Sequence, residues 1–142
     1  MEVADVRRRL RAAIEEARRR AEDRRARKDA ETRGWETALQ DVVVPAFHLV
    51  ASALAAEGYR FKVVTPGATA RLVPERGGEE FVEVALETEA DEPVVLIRST
   101  RGRGRRTTTR ERPLGVRSAA EIVSDDTIVP ALLEELTPFL ER

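Results

Sequence analysis

The first part of the chain carries apolar residues at helical spacing among residues that are mostly charged. The apolar positions recur every three or four residues, at Val3, Val6, Leu10, Ile14, Ala17 and Ala21. This spacing predicts a long helix with one narrow apolar stripe that ends after Ala21. Such a helix takes most of its stability from packing, so we expect residues 1–33, here called the arm, to dock on the rest of the chain or on a second copy.

A second, broader stripe follows Gly34 and predicts the main core helix. Its members are Trp35, Leu39, Val42, Val43, Ala46, Val50, Ala53 and Leu54, and it ends near Gly58. Glycine disfavours a helix interior, so we expect Gly34 to separate this helix from the arm. Pro45 has no backbone N–H, which predicts a kink or short break, with Pro45 starting the second piece.

From Tyr59 the apolar period changes to two, and turn residues punctuate the chain at short intervals. This pattern predicts an antiparallel meander of about five strands. We expect Val82, Val84 and Leu86 to face a core, with Glu83 and Glu87 on a wet face of the sheet. Residues 102–104 are the predicted tip of the last hairpin, and residues 105–112 its exposed, charged edge strand.

The C-terminal segment predicts a last helix, which begins after an N-cap at Ser124, Asp125 or Asp126. Its apolar face comprises Ile128, Leu132, Leu133 and Leu136. Pro130 falls in the first turn, whereas Pro138 is expected to end the helix. The elements together predict an α+β fold, with a long N-terminal helix, a second core helix, the meander and a C-terminal helix. The arm (1–33) precedes a single α+β domain (34–142) in this prediction.

Composition favours an intracellular protein with its own core. The chain has 142 residues, enough for one domain to form a core without disulfides or bound metals to stabilise it. It has no cysteine, which excludes disulfides and thiolate metal sites. The first residues contain no secretory signal pattern, so we expect a cytoplasmic protein. The longest nearly uncharged run, residues 42–56, is shorter than the roughly 20 residues of a bilayer span, so we expect no membrane association.

The net charge of −1 conceals blocks of opposite sign along the chain. Residues 1–33 hold twelve Arg and Lys against eight Asp and Glu, and residues 98–117 hold eight against one. Residues 34–97 hold four against eleven, and residues 118–142 hold one against six. Two basic blocks therefore alternate with two acidic blocks.

No arrangement of residues indicates catalysis. His48 is the only histidine, and we expect it to be a solvated or hydrogen-bonded helix residue. The carboxylate pairs, such as Glu79–Glu80 and Glu134–Glu135, are adjacent in sequence and point in different directions. The glycines match no phosphate-binding loop. We therefore expect no catalytic residue, no cofactor and no metal.

The conspicuous feature is a run of arginines on the last hairpin. The candidate anion-binding residues are Arg98, Arg101, Arg103, Arg105, Arg106 and Arg110. Guanidinium groups bind phosphate oxygens in a bidentate manner, and a two-stranded ribbon can enter a nucleic-acid groove. The segment holds no aromatic residue on which a base could stack. The alternative is a soluble edge hairpin whose arginines pair with Glu83, Glu87 and the acidic C-terminal helix.

Two leading hypotheses of function follow, and an enzyme whose site is assembled from scattered carboxylates ranks third. The first is a non-enzymatic, self-associating protein-interaction or adaptor module that uses Val3, Val6, Leu10, Ile14 and Ala17 as its interaction helix, for example as a coiled coil. Its order of elements resembles that of type III secretion chaperones and related α/β adaptor domains, which dimerise and bind protein partners. The likeness lies in element order alone, and no residue role is carried over. The second is a nucleic-acid or polyanion binder that uses the arginine hairpin.

Overall fold

The computed structural model describes residues 1–76 and 78–141, apart from the side chain of Arg103. It has a long N-terminal helix, five antiparallel strands in one sheet and a C-terminal helix, so the predicted α+β fold is confirmed.

The N-terminal helix is unbroken from Val3 to Ala56. It comprises α1 (Val3–Ala38), a π-helical segment (Leu39–Val43) and α2 (Val44–Ala56). The expected separation at Gly34 is wrong: Gly34 lies inside α1, packed beside Ala119 and Ala120. This contact offsets the intrinsic cost of glycine in a helix, which is about 1 kcal/mol.

Pro45 disturbs the helix without breaking it. The turn before it widens to a π-helix, in which the Val44 N–H donates to the Leu39 carbonyl five residues earlier. Pro45 then occupies the first turn of α2, where its missing N–H costs little, as the sequence predicted. The helix ends at Ala56, and Gly58 turns the chain away from it with a φ of 92°, a value that suits glycine.

The sheet is a meander in the order β1-β2-β3-β4-β5. Its strands are β1 (Phe61–Val64), β2 (Thr69–Pro74), β3 (Phe81–Glu87), β4 (Val94–Arg103) and β5 (Arg106–Pro113). The edge position of β5 is confirmed. The tip of the last hairpin comprises Gly104 and Arg105 rather than the predicted residues 102–104, because β4 extends through Arg103.

One face of the sheet packs on α2 and on α3 (Val129–Leu140) to form the core. Trp35, Phe47, Leu72, Ile97 and Leu132 are among the largest fully buried side chains. Three expectations for α3 are wrong. Its N-cap is Ile128 rather than Ser124, Asp125 or Asp126, because a separate 3₁₀ turn (Asp125–Thr127) precedes the helix. Pro138 does not end the helix, since the buried Phe139 holds its last turn against Phe61 of β1. Leu133 is 50% exposed rather than part of the buried face.

Candidate functional site

The arm presents its apolar stripe to solvent. Val3, Val6, Leu10 and Ile14 are between 41% and 75% exposed. The stripe is in phase with the buried side of the helix, because Trp35 lies fourteen residues beyond Ala21, close to four turns at about 3.6 residues per turn. The arm therefore extends beyond the domain, and its apolar stripe lies on the same side of the helix as Trp35, which faces the core.

Short-range ion pairs support the exposed part of the arm. Arg8 pairs with Asp5, and Glu16 accepts hydrogen bonds from Arg19 (2.8 Å) and Arg20 (3.1 Å). Pairs at these spacings are worth about 0.2–0.5 kcal/mol each in an isolated helix. They favour a helical arm but leave its apolar stripe uncovered.

Among the described residues, the polar contacts between the arm and the domain lie near the end of the arm. Arg27 lies 3.5 Å from Glu92 in the β3–β4 connection, an exposed pair. The Glu31 carboxylate accepts a hydrogen bond of 3.1 Å from the Ala119 N–H, at the start of a 3₁₀ turn (Ala119–Glu121). Trp35 then anchors the helix, since its Nε1–H donates to the Ala68 carbonyl at 2.7 Å.

The outer face of the sheet carries a row of four alternating charges across neighbouring strands. Arg71, Glu83, Arg98 and Glu111 stand opposite one another in the registers of β2, β3, β4 and β5. Arg71 donates to Glu83 at 2.8 and 3.0 Å, and Arg98 donates to Glu83 at 2.7 Å and to Glu111 at 3.0 Å. Glu83 is only 3% exposed, so the expectation of a wet Glu83 is wrong.

These contacts give Arg98 a structural role. The hydrogen bonds that Arg98 donates to Glu83 and then to Glu111 raise the pKa of Arg98 above its already high ordinary value. Arg98 was a candidate for anion binding, but both of its donors named above are already used by carboxylates.

A second acidic cluster lies where α3 crosses β4 and β5. Glu135 is 5% exposed and accepts hydrogen bonds from Ser99 (3.1 Å) and Arg112 (2.9 Å). Arg112 also donates to Glu134 at 3.1 Å. The sequence had anticipated pairing with the C-terminal helix, and Arg112 is the arginine that makes it.

The other hairpin arginines differ from Arg98 and Arg112. Arg101, Arg105, Arg106 and Arg110 form no ion pair with any residue that the structure describes. Arg105 lies at the tip, and the β4–β5 register places Arg101, Arg106 and Arg110 on one side of the hairpin, the side of α3. We call these last three the arginine face. The side chain of Arg103, also a candidate, lies outside the described part of the chain.

Groups with potential catalytic chemistry are dispersed. His48 and Ser52 are exposed on α2, and Asp41 is exposed on the π-helical segment before it. Glu134 and Glu135 diverge, one to the surface and one into the core. Within residues 1–76 and 78–141, no three His, Asp or Glu residues are grouped to hold a metal ion.

Sequence analysis named Glu83 and the acidic C-terminal helix as alternative partners of the hairpin arginines, but it did not predict that Glu83 holds Arg98 or that Glu135 holds Arg112. Strand register was the absent information: once β3 and β4 are paired, Glu83 and Arg98 become direct neighbours. The sequence analysis also did not predict that Leu49 on α2 and Leu133 on α3 are exposed.

Comparison of the chain with protein families, curated proteins and solved structures finds no significant match. By length and composition, the helix from Val3 to Ala56 contains a stretch apolar enough to cross a membrane, of which 33% is buried. The core helix of a soluble protein meets the same criterion, and α2 buries Phe47, Val50 and Leu54. The absence of membrane association stays a prediction.

Proposed function

We propose that this protein is a non-enzymatic, self-associating interaction module that acts through its arm. The observation that carries the proposal is an arm that leaves the domain as a helix with its apolar stripe exposed along Val3, Val6, Leu10 and Ile14. Fully burying one aliphatic side chain of this size is worth about 1.5–3 kcal/mol. A second protein surface that covers the stripe therefore has a substantial driving force.

The non-enzymatic part of the proposal rests on how the titratable groups are placed. Within the described part of the chain, His48 forms no hydrogen bond or ion pair with a nucleophile or a carboxylate. The buried Glu83 and Glu135 accept hydrogen bonds from arginines and a serine. Groups engaged in this way stabilise the sheet and α3. Their arrangement offers no convergent acid and base for a substrate.

We expect the double variant Leu10→Glu/Ile14→Glu to be monomeric under conditions in which the natural chain self-associates. Two carboxylates in the stripe would have to be buried without partners at the contact, which costs far more than the lost apolar area. Light scattering measures the effect: the variant should give the monomer mass of 15.9 kDa and the natural chain at least twice that mass.

Ala12→Glu/Ala26→Glu is the matched control, because it adds the same charges to exposed positions outside the stripe. This control should self-associate like the natural chain. A natural chain that is monomeric at high micromolar concentration would contradict the proposal, and so would equal loss of mass in both variants.

Polyanion binding is a second candidate, favoured by one observation. Arg101, Arg106 and Arg110 share a side of the hairpin and have no carboxylate partner among the described residues. Three phosphate contacts would give a salt slope near −2.7, so affinity should fall by about 20-fold when salt rises threefold. Binding should be tolerant of sequence, since arginine contacts to phosphates read no bases.

Fluorescence anisotropy with labelled single- and double-stranded DNA and RNA tests this candidate. We expect binding at low salt that Arg101→Ala/Arg106→Ala/Arg110→Ala removes and that is largely lost near physiological salt. The control Arg60→Ala/Arg76→Ala/Arg117→Ala removes the same charge from exposed positions outside the arginine face. Equal weakening by both variants would assign the binding to overall charge and contradict a site on the hairpin.

A further inference from the structure

An open apolar groove lies between α2 and α3, on the helical layer of the domain. Its volume is about 550 Å³, and its lining includes Leu49, Ala53, Leu54, Val129, Leu133 and Leu140. Leu49 is 57% and Leu133 50% exposed, so no residue in 1–76 or 78–141 covers these two side chains of the groove. The protein thus has two uncovered apolar features, this groove and the arm stripe.

The arm cannot fill the groove of its own chain. The helix is continuous from Val3 to Ala56, so the arm and the groove residues of α2 lie at opposite ends of one rod. At a rise of about 1.5 Å per residue, Leu10 and Ala53 are about 65 Å apart along the axis. An arm that enters a groove of this kind must therefore come from another molecule.

The charges around the two features are complementary. Arg7, Arg11, Arg18 and Arg25 form a basic row along one side of the stripe, in an arm with twelve basic and eight acidic residues. Glu57 lines the groove, and the exposed Glu141 follows α3, in a C-terminal segment with one basic and six acidic residues. Contact between arm and groove would bring the basic row towards acidic residues, which favours this pairing.

Pairing of two arms with each other fits the sequence less well. The stripe from Val3 to Ala21 is spaced 3-4-4-3-4, close to the period of a straight helix, whereas a left-handed coiled coil requires a sustained repeat of about 3.5 residues. Beyond Ala21 the same side of the helix carries Arg25 and Lys28. An antiparallel pair of arms would also bring the two basic rows side by side.

We propose that the α2–α3 groove binds the arm of a second copy of this chain. Each arm then lies in the groove of the other copy. Reciprocal seating repeats one contact twice and closes as a two-fold dimer, leaving neither stripe nor groove free. This inference rests on the proposed function, because it specifies the surface to which the arm binds.

Cysteine crosslinking tests the inference on the full-length protein, which has no cysteine of its own. One sample carries Leu10→Cys or Ile14→Cys in the arm, and the other carries Leu133→Cys in the groove. The samples are mixed, allowed to exchange subunits and treated with a bismaleimide. Val123→Cys replaces Leu133→Cys as the matched control, because Val123 is 77% exposed and does not line the groove.

We expect arm–groove crosslinks at least tenfold more abundant than crosslinks of the same arm positions to Val123→Cys. A dimer that crosslinks mainly arm to arm, or equally to both partner positions, would overturn the groove as the seat while leaving self-association intact. A natural chain that light scattering finds monomeric would overturn both proposals. The two failures are therefore distinguishable.

Discussion

Replacement of Trp35 by alanine is expected to lower the free energy of unfolding by about 3–5 kcal/mol. Trp35 is 1% exposed and is the residue through which the helix meets the core beyond the arm. The substitution leaves a cavity at this junction and deprives the Ala68 carbonyl of the indole N–H that donates to it at 2.7 Å. Urea denaturation followed by far-ultraviolet circular dichroism measures the loss, since the variant has no tryptophan to report by fluorescence.

Trp35→Phe separates the two contributions. Phenylalanine keeps most of the apolar volume but has no N–H, so this variant should lose about 1–3 kcal/mol, from the lost hydrogen bond to the Ala68 carbonyl and a small cavity. Equal, small losses in both variants would contradict the placement of Trp35 in the core.

The periodicity of the chain was sufficient to predict the main elements. Apolar spacing of three and four gave the helices, and alternation gave the five strands with β5 at the edge. The helix boundaries predicted from glycine and proline were less accurate. Gly34 and Pro138 stay inside helices because the residue that follows each one, Trp35 or Phe139, is buried and held by packing. Tertiary contacts of this size outweigh a local propensity of about 1–3 kcal/mol.

The candidate surfaces were predictable to different degrees. The arm stripe is a local pattern, so its residues could be named from spacing alone. The division of the hairpin arginines into paired and unpaired ones depends on register and on where α3 crosses the sheet, which no local pattern encodes. Arg98 and Arg110 look alike in sequence, yet Arg98 faces Glu83 on the outer side and Arg110 lies on the side of α3.

The groove was missed for a related reason. Leu133 shares the apolar spacing of α3 with Leu132 and Leu136, both fully buried, and spacing alone cannot tell which leucine the sheet covers. The exposed Leu49 and Leu133 become meaningful only when α2 and α3 are placed side by side.

Glu83→Ala should be the most destabilising substitution on the outer face of the sheet, at roughly 2–3 kcal/mol of unfolding free energy. Its side chain is 4% exposed, and its carboxylate accepts hydrogen bonds from both Arg71 and Arg98, so its removal leaves two guanidinium groups without their shared acceptor. Those arginines keep 32% and 28% of their side-chain surface exposed, so they can turn to water. For this reason we expect less than the cost of orphaning a fully buried charge, about 3–5 kcal/mol.

Glu111→Ala is the matched control, because it removes the same group from the end of the same row. Glu111 contacts only Arg98 among its recorded partners and its side chain is 54% exposed, so the loss should stay below about 1 kcal/mol. Urea denaturation of both variants at low and high salt measures the difference. Equal losses, or losses in both that vanish at high salt, would mean that the row is a screened surface feature. A large, salt-resistant loss in Glu83→Ala alone would show that the buried Glu83, held between Arg71 and Arg98, stabilises the folded sheet.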